Sequence, residues 1–114
     1  MHYYFPSIAV NSRGDAVLGF SGSSANQFVS AYFTSRRATD QAGTMRSPIR
    51  VIKDGENILN DPNLGGNGVG DYSATTLDPN DGLTIWTVQE YAAGSGCTTN
   101  CAIWGTWIKA INPY

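Results

Sequence analysis

Charged side chains are scarce in this sequence. Asp, Glu, Lys and Arg make up only 14% of the 114 residues, against about 25% in an ordinary soluble domain. Seven cations against nine anions leave a formal net charge of -2. No segment is dense in Lys or Arg, which excludes a nucleic-acid partner, because neutralising several phosphates takes several clustered cations. The apolar runs are a few residues long, far short of the roughly 20 that a membrane-spanning helix needs. No membrane partner is therefore expected. Helical periodicity is nearly absent. Histidine occurs once, at His2, and cysteine twice, so no metal or cofactor is implied. The opening Met1-His2-Tyr3-Tyr4-Phe5-Pro6 has neither a basic n-region nor an apolar h-region. An exported form would have lost its signal, or the chain is a piece of something larger.

Aromatic and small polar residues are plentiful. Three Trp, six Tyr and four Phe within a 41% hydrophobic chain supply a core and exclude disorder. Thirteen Gly, with many Ser, Thr and Asn, make the surface polar but weakly charged. One small domain fits this length.

Stretches rich in β-branched and aromatic residues recur between Gly, Asn, Asp and Pro clusters, an all-β pattern. Strands are expected at Ser7 to Val10, Ala16 to Ser21, Val29 to Ser35, Ile49 to Lys53, Tyr72 to Leu77, Leu83 to Tyr91 and Ile103 to Ile111. Asn11-Ser12-Arg13-Gly14-Asp15 and Asp78-Pro79-Asn80-Asp81-Gly82 read as hairpin turns. A Gly/Asn-rich stretch separates residues 1–54, a first unit, from residues 71–114, a second, with 55–70 as the connecting loop.

The two units align weakly as a repeat. Ser7 to Phe20 laid over Ser73 to Trp86 matches Ser7 with Ser73, Asp15 with Asp81 and Phe20 with Trp86 at a common displacement of 66. Cys97 and Cys101 flank a short polar loop; the favoured reading is a local disulfide, which implies an oxidising compartment, and the alternative is two free thiols.

Phe5 to Asn11, Gly14-Asp15, Ser30-Ala31-Tyr32, Arg36-Arg37, Gly70 to Thr75, Asp78-Pro79, Ile85-Trp86-Thr87, Glu90-Tyr91 and Trp104 to Trp107 together resemble the repeats of sialidase-like, Asp-box-type β-propeller proteins, many of them bacterial and exported. The resemblance implies four-stranded antiparallel blades, about two per chain, and a secreted or cell-envelope location. The Asp-box itself, Ser-x-Asp-x-Gly-x-Thr-Trp, is only approximated by Pro79 to Trp86, where Asp81 and Gly82 are adjacent. Three arginines suited to a sialic acid carboxylate cannot be assembled; Arg36 and Arg37, the one adjacent pair, point to opposite faces of a strand. Sialidase activity is not implied. Two blades are fewer than the four to eight of a closed ring, so self-association as a head-to-tail homotrimer is expected. His2 to Phe5 is a candidate outer strand for the second unit of its own or a neighbouring chain.

A carbohydrate ligand is the expected partner. Gly70-Asp71-Tyr72 and Gln89-Glu90-Tyr91 fall at one end of the second unit, with Glu90 opposite Gly70 or Asp71. Asp71 and Glu90 would then form a carboxylate pair suited to glycoside hydrolysis. Tyr72, Tyr91, Trp86 and Trp104 are candidate sugar-stacking residues, and Arg36 and Arg37 candidate carboxylate clamps. The alternatives are a lectin-like module that uses the same side chains without catalysis, and a structural part of a longer propeller.

Overall fold

The structure is a computed structural model and describes residues 1–59, 72–99 and 101–113. All seven expected strands form: β1 (His2–Val10), β2 (Ala16–Ser24), β3 (Gln27–Arg36), β4 (Arg50–Lys53), β5 (Ala74–Leu77), β6 (Ile85–Ala92) and β7 (Trp104–Ile111). They build two antiparallel meanders, a four-stranded sheet β1-β2-β3-β4 and a three-stranded sheet β5-β6-β7. No helix occurs among the described residues. Among the described residues the second sheet has one strand fewer than the first.

The sheets pack face to face. β1 lies against β5, β2 and β3 lie against β6, and β4 approaches β7. The strand order therefore runs in the same sense through both sheets. The two hairpin turns sit side by side at one end, where the Ser12 amide donates to the Gly82 carbonyl (2.9 Å) and Asn11 Nδ2 to the Leu83 carbonyl (3.0 Å). Between the sheets lies a small apolar core of Val17, Phe33, Ile85 and Ile111, flanked by Ala9, Ile52 and Leu77.

Beside that core runs a polar seam. Gln89, fully buried, donates from Nε2 to Thr87 Oγ1 (2.8 Å) and Ser7 Oγ (3.2 Å). Ser73 Oγ is 2.8 Å from both Gln89 Oε1 and Ser7 Oγ. Thr75 Oγ1 bridges Ser7 Oγ (2.6 Å) and Thr87 Oγ1 (2.9 Å). Each buried hydroxyl and amide finds a partner, so burial costs little. Gly19, across from this cluster on β2, leaves the space it occupies.

Two expectations change. His2 to Phe5 is the first half of β1, pairing His2 with Ser23 and Tyr4 with Ser21, and does not extend the second unit. A bulge between Tyr4 and Ser7 separates the two halves of β1, with Phe5 at a φ of 53° ahead of Pro6. The repeat also fails as a residue-by-residue match. Val10 pairs with Ala16; displaced by 66, that pair would be Thr76 and Gly82, but Thr76 pairs with Trp86. The longer turn, Asp78 to Thr84, absorbs the difference. What repeats is the order of strands.

Candidate functional site

The described residues expected at the site do not all fall together. Along β6, Ile85, Thr87, Gln89 and Tyr91 face the first sheet, whereas Trp86, Val88, Glu90 and Ala92 take the opposite face. Glu90 is buried at 7% exposure and lies opposite Thr106 on β7. The β5–β6 ladder ends at Ala74 and Val88. Gly70 and Asp71, the residues expected opposite Glu90, lie outside the described residues.

The aromatic candidates divide in the same way. Trp86 is 39% exposed and its indole donates to Asp78 Oδ2 (3.0 Å). Trp104, similarly exposed, lies opposite Ala92. Six residues of β6 separate Trp86 from Ala92, roughly 20 Å at the usual strand rise, so the two indoles cannot hold one sugar ring. Tyr72 is exposed. Tyr91 is buried edge-on against Trp107 (6.4 Å between centroids). The Lys53 ammonium sits over both rings, 5.3 and 5.5 Å from their centroids, and 3.4 Å from Glu56 Oε2. This cluster closes one half of the gap between β4 and β7.

Arg36 and Arg37 order the β3–β4 loop. The Arg36 guanidinium donates to the Asp40 carbonyl (2.8 Å), and the Arg37 amide to Asp40 Oδ2 (2.8 Å). Cys97 and Cys101 form the expected disulfide, with Cα atoms 5.8 Å apart. Its loop is held to the preceding segment by Asn57, whose Nδ2 donates to the Gly94 and Cys97 carbonyls.

A different site emerges where the sheets splay apart. Below the Lys53 cluster, β4 and β7 bound a cleft of about 570 Å³. Its lining is mixed: buried Phe33, Ile111 and Pro113 lie behind it, polar side chains including Thr34 and Asn112 contribute much of its surface, and the exposed cations Arg46, Arg50 and Lys109 border it. The β3–β4 ladder is irregular between Ala31 and Tyr32: Arg50 pairs with Phe33 and Lys53 with Ala31, both inward-facing partners. In a regular strand residues three apart point to opposite faces; the bulge turns both cations inward. Lys109, opposite Thr87, comes from the facing sheet. Among the described residues neither the Arg50 nor the Lys109 side chain has a hydrogen-bond or ion-pair partner. Arg46 is held as a fork by Asp40, Nε to Oδ2 at 2.7 Å and Nη2 to Oδ1 at 2.9 Å. Among the described residues no Asp or Glu lines the cleft. Of the seven cations, Arg13, Arg36, Arg37, Arg46, Arg50 and Lys109 all lie in the half of the molecule nearer the hairpin turns, and Lys53 in the other.

The Arg46 guanidinium beside Asp40 holds its carboxyl well below the usual carboxylate range. The Thr84 hydroxyl and the Leu83 and Thr84 amides lower Asp81. Both folded values lie below the unfolded value of 3.8. Their contribution is therefore present above that pH and lost as pH falls through the folded values. The thermal midpoint should be level near neutrality and decline below about pH 4. Asp40→Asn should flatten part of that decline, by a small amount because the pair is solvent-screened. An acid limb unchanged in Asp40→Asn would exclude the pair as a contributor.

These features define a class: an all-β protein of two antiparallel meanders packed face to face, with a cationic cleft at one open edge. The chain matches no protein-family model, no curated protein and no solved structure.

Proposed function

We propose that the chain is a carbohydrate-binding protein whose ligand is an anionic saccharide seated in the cleft between β4 and β7. The observation that carries this reading is the pair of unpartnered, solvent-exposed cations Arg50 and Lys109 facing one open cleft from two sheets. A volume of about 570 Å³ falls within the range of small-ligand sites. A carboxylate on the saccharide would accept charge-assisted hydrogen bonds from the rim. Binding without hydrolysis is favoured, since glycoside cleavage needs two carboxyl groups flanking the bond and the cleft lining has none. The two sheets are read as consecutive blades of a propeller-type stack, supported by their common strand sense. The disulfide suits an oxidising, extracytoplasmic compartment.

Calorimetric titration with a galacturonate disaccharide and with cellobiose tests the reading. The acidic sugar should bind and the neutral one should not. Arg50→Ala and Lys109→Ala should each weaken binding roughly tenfold, the scale of one hydrogen bond to a charged group, and added salt should weaken it further. Equal affinity for both sugars, or no effect of either substitution, would refute it. A panel of aryl glycosides should remain uncleaved; turnover lost in Glu90→Gln would instead support hydrolysis.

A further inference from the structure

The way the two sheets meet determines what their outer faces can accept. The pairs that close the two hairpins, Val10 with Ala16 and Leu77 with Ile85, occupy the same place in their meanders. Leu77 and Ile85 point into the inter-sheet core, whereas Ala9 and Val17 do so in the first sheet and Val10, 54% exposed, points away. Equivalent positions thus turn to opposite sides of the interface. With turns at the same end and the strand order in the same sense, the sheets are related head to tail, as successive layers of one stack. A two-fold sandwich would turn equivalent positions toward each other.

Counting strand by strand from those closing pairs and along the β2–β3 and β6–β7 registers, Trp86 stands where Val17 stands, and Ile108 where Phe33 stands. Val17 and Phe33 are the first sheet's share of the core, 0% and 8% exposed; Trp86 and Ile108 are 39% and 61% exposed. Val88 lies between them, opposite Ile108, with Glu90 and Thr106 further along. On the far side of the molecule, Val10 takes the place of Leu77, and Ile8, 59% exposed, lies two residues along the same face. Leu18 pairs with Ile8 there. Core-type residues therefore stand exposed on both outer faces, each face matching in kind the partner the other face would need. Unpartnered apolar patches of this sort mark interaction surfaces.

We infer that the outer face of the second sheet, centred on Trp86 and Ile108, docks onto the outer face of the first sheet, centred on Ile8 and Val10, of another copy of this chain. Such a heterologous interface propagates until rotation closes it; three copies supply six sheets, within the size range of closed β-sheet rings. The inference is independent of what the cleft binds.

Light scattering on size-exclusion fractions at tens of micromolar should give three chain masses for the unmodified protein. Ile108→Asp and Val10→Asp, each at an exposed position, should both give folded monomers by circular dichroism. Mixed in equal amounts, they should form a dimer and nothing larger, because each retains one intact face and the two intact faces are complementary. An unmodified protein of one or two chain masses overturns the inference. So does either variant remaining a trimer alone, or a mixture that stays monomeric. Should a variant unfold, Ile8→Asp and Trp86→Asp provide the same comparison on the same two faces.

Discussion

Gly19→Ala should lower the free energy of unfolding by about 1–3 kcal/mol, the cost of forcing an extra methyl group into a packed interior. Gly19 needs no unusual backbone angle; what it provides is room. A Cβ there would overlap Thr87 Oγ1 and Gln89 Nε2, both members of the seam between the sheets. The new methyl would push apart groups whose hydrogen bonds compensate their own burial, so packing strain and lost hydrogen bonding act together. Thr87→Ala removes one of the two colliding atoms. The double variant should accordingly be less destabilised than the sum of the two single ones. Urea denaturation of the four proteins decides it, and strict additivity would show that Gly19 does not act through the seam.

Truncation in the apolar half of the interface should be larger still. Ile85 is fully buried at the start of β6 and packs with Val17, Phe33 and Ile111 across and within the sheets. Ile85→Ala should lower stability by about 2–5 kcal/mol, combining lost transfer energy with a cavity that a core of four buried side chains cannot easily collapse. A small domain has about 5–15 kcal/mol in total, so this variant should be partly unfolded at physiological temperature. Ile108→Ala removes the same number of atoms from β7 but from an exposed position, and should change monomer stability by less than about 0.5 kcal/mol. Similar losses in the two variants would contradict the burial pattern. The comparison is best made on the monomeric Val10→Asp background, where assembly cannot add to either value.

The strand pattern was largely legible because each strand has its own β-branched or aromatic residues and its own turn signals. Ile8, Val17, Tyr32, Val51, Thr75, Val88 and Trp107 each fall within an expected strand. The first half of β1 was not legible, because Pro6 and a residue at positive φ argue against continuous pairing and only the bulge reconciles them. The site was less legible than the fold. Glu90 and Tyr91 were read as neighbours at one end, yet adjacent strand residues take opposite faces, and one lies toward the first sheet while the other does not. Arg50 and Lys109 carried no local signal at all. They are distant in sequence, sit on different sheets, and meet one space only because β4 contains a bulge and the sheets diverge beside it. Such a juxtaposition depends on tertiary geometry that no short motif encodes. Arg36 and Arg37 drew attention by adjacency, but their contacts stabilise a loop.

The uneven placement of the charges gives a weakly charged protein a modest electric moment. Six positive side chains share the half bearing the hairpin turns with Asp15, Asp40, Asp78 and Asp81, two of which are paired to Arg13 and Arg46, while Asp54, Glu56 and Glu90 lie in the other half with Lys53. In the field of an acidic polymer the molecule experiences a torque that swings the cleft toward the polymer before contact. That torque acts over about one Debye length, near 8 Å at physiological ionic strength. At low salt the approach of the cleft would therefore be oriented, against the weak repulsion of the net charge of -2, and a rise in salt would randomise the angle of approach.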